Sequence, residues 1–121
     1  SMVGSTDSAM FTAKINGEII GVANVSRLTR RMSHRGSIGV SVRQCAWHRG
    51  IGTALVETLI AFARENSFEQ LELEVRSDND RAIRLYERFG FRKTGTMPAF
   101  LKVNGKDCDC DFMVLRVNEC R

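Results

Sequence analysis

The stretch Trp47-His48-Arg49-Gly50-Ile51-Gly52-Thr53-Ala54-Leu55 constrains this chain more than any other. Before it, Ser37 to Arg43 alternates, with Ile38, Val40 and Val42 on one side and Gly39, Ser41 and Arg43 on the other, which predicts a strand. After it the apolar residues take a helical period from Gly50 to Glu65. Ile51, Leu55, Leu59 and Phe62 fall on one stripe, widened by Val56, Ile60 and Ala63. Gly50 and Gly52 stand at the switch. A helix start exposes backbone N–H groups that have no intrahelical partner, and its dipole adds partial positive charge. Glycine lets such a turn bend and come close to a ligand. Together these features predict an anion site, most naturally for a phosphate or pyrophosphate.

The rest of the chain supplies a sheet for that unit. Met10 to Ile15 and Glu18 to Ser26 read as a hairpin, because Asn16-Gly17 between apolar runs is a strong turn signal. Arg27 to Arg35 is a basic, polar connection, and Gln44 to Arg49 a loop feeding the glycines. Asn66-Ser67 ends the first helix. Leu71, Leu73 and Val75 mark the next strand, with Glu72, Glu74 and Arg76 on its other face. Asp78 or Asn79 can cap a second helix carrying Ala82, Ile83, Leu85, Tyr86 and Phe89 to a stop at Gly90. Phe91 to Val103 and Asp107 to Val117 form a final hairpin about Asn104-Gly105, and Pro98 makes part of its first arm an edge or a bulge. The order β-β-β-α-β-α-β-β, with a strand-helix-strand crossover at its centre, predicts an α/β fold with a mixed sheet flanked by helices.

Composition bounds the alternatives. The chain has 121 residues, the length of a single domain. Residues 1–9 read as a flexible lead or expression remnant and residues 10–121 as the domain. The formal net charge of +4 suits an anionic cofactor, but its charges alternate in sign and no nucleic-acid reading motif is present. No apolar run approaches the ~20 residues that span a bilayer, and no signal-peptide core is visible, so a cytoplasmic protein without a membrane partner is expected. Four cysteines, at 45, 108, 110 and 120, give no disulfide framework. A Cys-x-Cys pair without a second ligand pair is weak ground for zinc. We expect reduced thiols and no metal.

The second informative stretch runs from Leu71 to Phe91. It carries a strand, then Asn79, Ala82, Tyr86 and Gly90-Phe91. Following a Gly-x-Gly helix start, this pattern resembles the GNAT superfamily of N-acetyltransferases, and Phe100 to Leu115 is similar to that family's closing hairpin. The likeness covers residues 10–117. The family's fold normally opens with a further strand and two helices that wall the acceptor side. This sequence has no counterpart for them, so it is read as a truncated chain or a lineage that lost them.

The resemblance implies acetyl-CoA as co-substrate and an N-acetyltransferase that moves its acetyl group to a primary amine by direct attack in a ternary complex. The acceptor is a small molecule or a protein N-terminus, and a homodimer is left open. Gln or Arg, two residues, Gly, one residue and Gly or Ala is the family pattern, here Trp47-His48-Arg49-Gly50-Ile51-Gly52. The pyrophosphate is expected at His48, Arg49, Gly50, Ile51, Gly52 and Thr53, with Trp47 departing from the usual Gln or Arg. The pantetheine arm is expected along Val40, Ser41 and Val42, chiefly on main-chain groups of Val40 and Val42, since an open strand edge suits such pairing. Asn79 would bond the arm, with Ala82 nearby. Tyr86, about 10 Å further along the same helix face, would hold the sulfur and act as general acid. Glu74 is the expected base, with His34 and His48 as runners-up. An alternative of a different class is a non-catalytic acetyl-CoA-binding module or sensor. A dinucleotide fold fails because Leu55 stands where a third glycine belongs, and a P-loop fails because no Gly-Lys-Ser/Thr follows.

Overall fold

A computed structural model describes residues 7–47 and 50–118. Its elements are β1 (Ser8–Ile15), β2 (Glu18–Arg27), β3 (Arg35–Val42), α1 (Ile51–Glu65), β4 (Gln70–Arg76), α2 (Asp80–Arg88), β5 (Arg92–Val103) and β6 (Lys106–Arg116). Single turns of 3-10 helix at Arg30–Met32 and Gln44–Ala46 lie in the two connections read as loops. The order of strands and helices is the predicted one. The six strands make a mixed sheet in the order β1-β2-β3-β4-β6-β5. By internal contacts the chain divides into two compact units, residues 1–71 with 116–121 and residues 72–115.

In the first unit the β1–β2 hairpin turns at Asn16 and Gly17, whose φ values of 52° and 81° are both left-handed. That is the requirement of a two-residue turn matched to strand twist. β1 pairs antiparallel with β2 and β2 with β3. α1 lies on these three strands, burying Leu55, Val56, Leu59, Ile60 and Ala63 on one stripe. Fully burying side chains such as Val56 and Leu59 stabilises the unit by about 1.5–3 kcal/mol each. Phe68 closes the core. β3 starts at Arg35, earlier than the alternation beginning at Ser37 suggests. The reason is Gly36, which lies against Phe68 so closely that a Cβ there would meet the ring at 2.5 Å. A position that tolerates no side chain leaves no apolar signal. Arg27 sits over the Phe68 ring, 4.0 Å from its centroid. It donates hydrogen bonds to the carbonyls of Ser33 and Asn66, each at 2.7 Å.

In the second unit Leu73 and Val75 of β4 are buried while Glu74 and Arg76 are exposed, as the two-residue period requires. Tyr86 is the one buried residue of α2. Its ring meets Phe91 edge-on at 5.6 Å. β5 and β6 pair antiparallel about Asn104 and Gly105, and their register shifts twice, between Lys93 and Gly95 and between Met97 and Leu101. The second shift holds Pro98 and a left-handed Ala99, φ 53°, whose N–H donates to Asp109 Oδ1 at 2.9 Å. β5 is an edge strand and is exposed throughout. The bulge expected at Pro98 is therefore present, stabilised by a carboxylate.

Asp111 is the buried charge of this unit, accepting hydrogen bonds from Ser77 Oγ at 2.6 Å and Thr96 Oγ1 at 2.8 Å. Those two donors hold its carboxyl below the usual range. They tie the end of β4 to both arms of the hairpin. Asp111→Ala should cost about 2–3 kcal/mol, because charge-assisted bonds are lost and their donors left behind. The depressed pKa fixes the sign of the pH effect. The stabilisation is fully present above the ordinary carboxylate value of about 3.9 and fades as pH falls through the lower folded value. Thermal melts from neutral to acid should show the wild type losing its advantage over the variant only below that point.

Candidate cofactor and active site

The helix start is built as an open anion turn. Gly50 is the N-cap of α1 with φ 76°, and it offers no side-chain cap. Among the described residues a Cβ at Gly50 would meet nothing within 4 Å. The first intrahelical bond runs from Ala54 N to Gly50 O at 3.0 Å. The N–H groups of Ile51, Gly52 and Thr53 therefore stand at the helix mouth without an i−4 partner. No acidic side chain occupies the first turn, so the positive end of the dipole is not neutralised locally. His48 and Arg49 lie outside the described residues.

β3 leads into this turn, and its hydrogen bonding to β2 shows which groups face that strand and which face away. Leu28 N donates to Arg35 O and Arg43 N to Ile20 O, at 2.9 and 2.8 Å. Main-chain groups alternate sides along a strand, so those of residues 37, 39 and 41 turn to β2. Those of Val40 and Val42 turn away. Ser41 consequently has only its exposed side chain left for a ligand. At the far end of the turn Trp47 folds back, and its indole Nε1 donates to Val42 O at 3.0 Å. The sequence showed Trp47 only as the loss of a polar residue; the indole N–H restores a polar contact, directed at the strand.

In the second unit α2 carries the expected pair. Asn79 is the N-cap, its Oδ1 accepting from Ala82 N at 3.2 Å. Ala82 thus has its main-chain donor taken and offers a ligand only its methyl group. The Asn79 amide NH2 has no partner among the described residues and remains a donor. Tyr86 is 6% exposed, and burial pushes its phenol up to about 12. No hydrogen bond engages its hydroxyl among the described residues, yet none of their buried side-chain nitrogen or oxygen atoms lacks a partner. The hydroxyl therefore still reaches solvent. It is a protonated donor waiting for an acceptor.

Glu74 projects from the polar face of β4 and is exposed. Cys110 lies beside it, its thiol pushed up first by burial and then by the Glu74 carboxylate. Two residues along the same face, Arg76 pairs with Asp78 at 3.0 Å. A recess of about 320 Å³ opens there, lined by Arg76, Ser77 and Asp78 from the end of β4 and by Lys106 to Asp109 from β6. Cys108 and Cys110 are free thiols. His34 is less suited to the base role. It precedes β3, eight residues before Val42, or ~26 Å along an extended strand. Among the described residues no cluster of three or more metal-ligating side chains occurs, and no helix is long and apolar enough to cross a membrane.

A left-handed glycine opens an uncapped helix in the first unit, and an Asn-capped helix with a buried tyrosine follows the next strand in the second. The profile of the Acetyltransferase (GNAT) family matches residues 2–91, and the chain belongs to that family. Among curated relatives, the N-alpha-acetyltransferase RimI of Mycobacterium tuberculosis is 35% identical over 96 residues, covering 78% of this chain and 59% of that protein. Among solved structures, a GNAT-family acetyltransferase from Streptococcus pneumoniae superposes with a TM-score of 0.87 at 27% identity, covering 93% of this chain and 69% of that one. The protein yncA of Salmonella typhimurium, solved with its cofactor acetyl-CoA, gives a TM-score of 0.87 at 25% identity, covering 96% of this chain and 68% of that one. The chain thus spans little more than half the length of its curated relative.

Proposed function

We propose that this chain is an N-acetyltransferase that takes its acetyl group from acetyl-CoA and passes it directly to a primary amine. The observation that carries this reading is the uncapped α1 mouth behind a left-handed Gly50. The N–H groups at Ile51, Gly52 and Thr53 are donors without an intrahelical partner at the helix start and suit a pyrophosphate. Val40 and Val42 then offer strand-like pairing to the pantetheine arm, and the Asn79 amide offers a further donor. His48 and Arg49 complete the proposed anchor by sequence.

The chemistry falls to the second unit. The amine nitrogen attacks the thioester carbonyl, the C–S bond breaks, and the electron pair leaves on sulfur. Tyr86 is the proposed hydrogen-bond donor to that sulfur. A thiol titrates near 8.5, well below a phenol at about 12. The phenol therefore stays protonated until the C–S bond breaks, and Tyr86 is the proposed donor to the departing sulfur, as the general acid that the resemblance implies. Glu74 is the proposed acceptor of the proton that the attacking ammonium must shed, directly or through one water.

Calorimetric titration with acetyl-CoA, set beside a turnover assay over an amine panel, tests the reading. Binding without turnover on any amine would instead make the chain an acetyl-CoA-binding module. Glu74→Gln tests the base. Free amine is scarce below the amine's pKa, near 8 for an α-amino group, so the variant should lose most rate at low pH and recover as pH rises. A pH–rate profile parallel to wild type would reject the role.

A further inference from the structure

We propose that the acceptor is an α-amine beside a large apolar side chain, and that this side chain lies on Phe112 next to Glu74. The proposal rests on the acetyl-CoA reading above, with Glu74 taking the amine's proton. β6 lies between β4 and β5 in the sheet. Ser77 N donates to Asp109 O and Val117 N to Glu69 O, both at 2.9 Å, and the two bonds share one antiparallel register. That register sets Phe112 opposite Glu74 and Cys110 opposite Arg76. On the other side of β6, Gly95 is opposite Phe112 and Met97 opposite Cys110. Directly opposed residues share a sheet face, about 5 Å apart. One row across the sheet is therefore a carboxylate, an aromatic ring and a position with no side chain. The Cys110 thiol, pushed up by burial and then by the Glu74 carboxylate, is the diagonal neighbour on that face.

The row forms a shelf that solvent reaches. Phe112 is half-buried and Gly95 exposed, and among the described residues a Cβ at Gly95 would meet nothing within 4 Å. Phe100 stands edge-on to Phe112 at 5.3 Å. Phe100 and Met97 are both exposed, whereas Leu73, Val75 and Met113, on the opposite face of the same unit, are buried. Exposed apolar surface is thus gathered on the Glu74 side and begins one strand away from the carboxylate. An amine whose nitrogen meets Glu74, directly or through one water, has its α-substituent within reach of the Phe112 ring. The side chain of glycine or alanine ends too soon to touch it. An acidic side chain would be repelled by Glu74, and a charge of either sign would lose hydration against Phe112 and Phe100. A large apolar side chain gains by covering them.

Acceptor kinetics at saturating acetyl-CoA test the shelf. For the amides of phenylalanine, leucine and methionine, kcat/KM should exceed that for glycine and alanine amides by about 10- to 100-fold, the worth of covering one such side chain. Tripeptides beginning with the same residues separate a free amino acid from a chain N-terminus as the source, and the preference in either arm supports the proposal. No preference in both arms, or a preference for glycine, lysine or glutamate, would overturn it. Gly95→Val puts a side chain into the gap beside Phe112. Gly95 has no left-handed backbone, and valine suits a strand, so the fold should hold. The ratio of kcat/KM for phenylalanine over alanine amide should then fall at least about fivefold. A loss shared equally by all acceptors leaves that ratio unchanged and counts against the shelf. Should Gly95→Val fail to fold, Phe100→Ala, at an exposed ring, takes its place with the same expectation. If the wild type binds acetyl-CoA but acetylates no amine, the parent reading fails and the shelf with it; if it acetylates amines without regard to their side chains, only the shelf fails.

Discussion

Gly50→Asp should lower acetyl-CoA affinity at least about 100-fold, while Gly50→Asn lowers it only a few-fold. Both side chains are the same size and both tolerate the left-handed region better than other residues. Among the described residues nothing lies within 4 Å of a Cβ at Gly50, so neither clashes with them. Both carry an oxygen that can cap the first turn, and both bear the same backbone cost at φ 76°. What differs is a negative charge at the point where a pyrophosphate is proposed to sit. Two unit charges ~4 Å apart repel by about 4 kcal/mol at an effective dielectric near 20, and solvent screening at this exposed site reduces that to roughly 2–3 kcal/mol. Calorimetry on the two variants, with melting curves showing both folded, reads the difference directly. Matching affinities would remove the pyrophosphate from this turn.

Tyr86→Phe should slow turnover by about 10²- to 10³-fold and leave acetyl-CoA binding within about twofold, the range seen when one preorganised donor is removed from a developing anion. The ring stays, and with it the edge-on contact to Phe91 at 5.6 Å. The hydroxyl engages no group among the described residues, so its loss orphans nothing. A second expectation follows from the raised pKa. Since burial holds the phenol near 12, the wild-type rate should show no fall between pH 8 and 10 assignable to Tyr86 ionising. If turnover in the variant stays within a factor of two, Tyr86 is a core aromatic and no more.

Much of this was legible before any coordinates. Asn16-Gly17 and Asn104-Gly105 announced both hairpins because their turns need two left-handed residues, and all four adopt positive φ. The helical stripe of α1 and the alternation of β4 were local patterns, and local patterns survive in a linear string. The expected Asn79 cap and Pro98 bulge also lie where the residue chemistry requires them. What was missed depends on distance in sequence. Asp111 reads as one more polar residue, although it shares strand parity with Met113 and Val117, both buried. Its partners lie 34 and 15 residues away, beyond any periodic signal. Trp47 reads in sequence only as a departure from the usual Gln or Arg, because an indole reaching back to Val42 is a matter of rotamer and loop path. The recess beside Arg76 likewise needs β4 and β6 to meet.

The outer hairpin has a consequence for how this protein lives in a concentrated solution. β5 is long, exposed and apolar in places, with Met97 50% and Phe100 40% accessible. Such a border would ordinarily be a template for aggregation. Its two register shifts cut the twelve-residue strand into regular runs of two or three residues, Arg92–Lys93, Gly95–Met97 and Leu101–Val103. Cross-β stacking draws on about six or seven continuous residues without proline. The irregular backbone around Pro98 and Ala99 therefore acts as an insulator. A stray chain finds no uninterrupted row of amides to join, and the protein can keep a sticky border without growing from it.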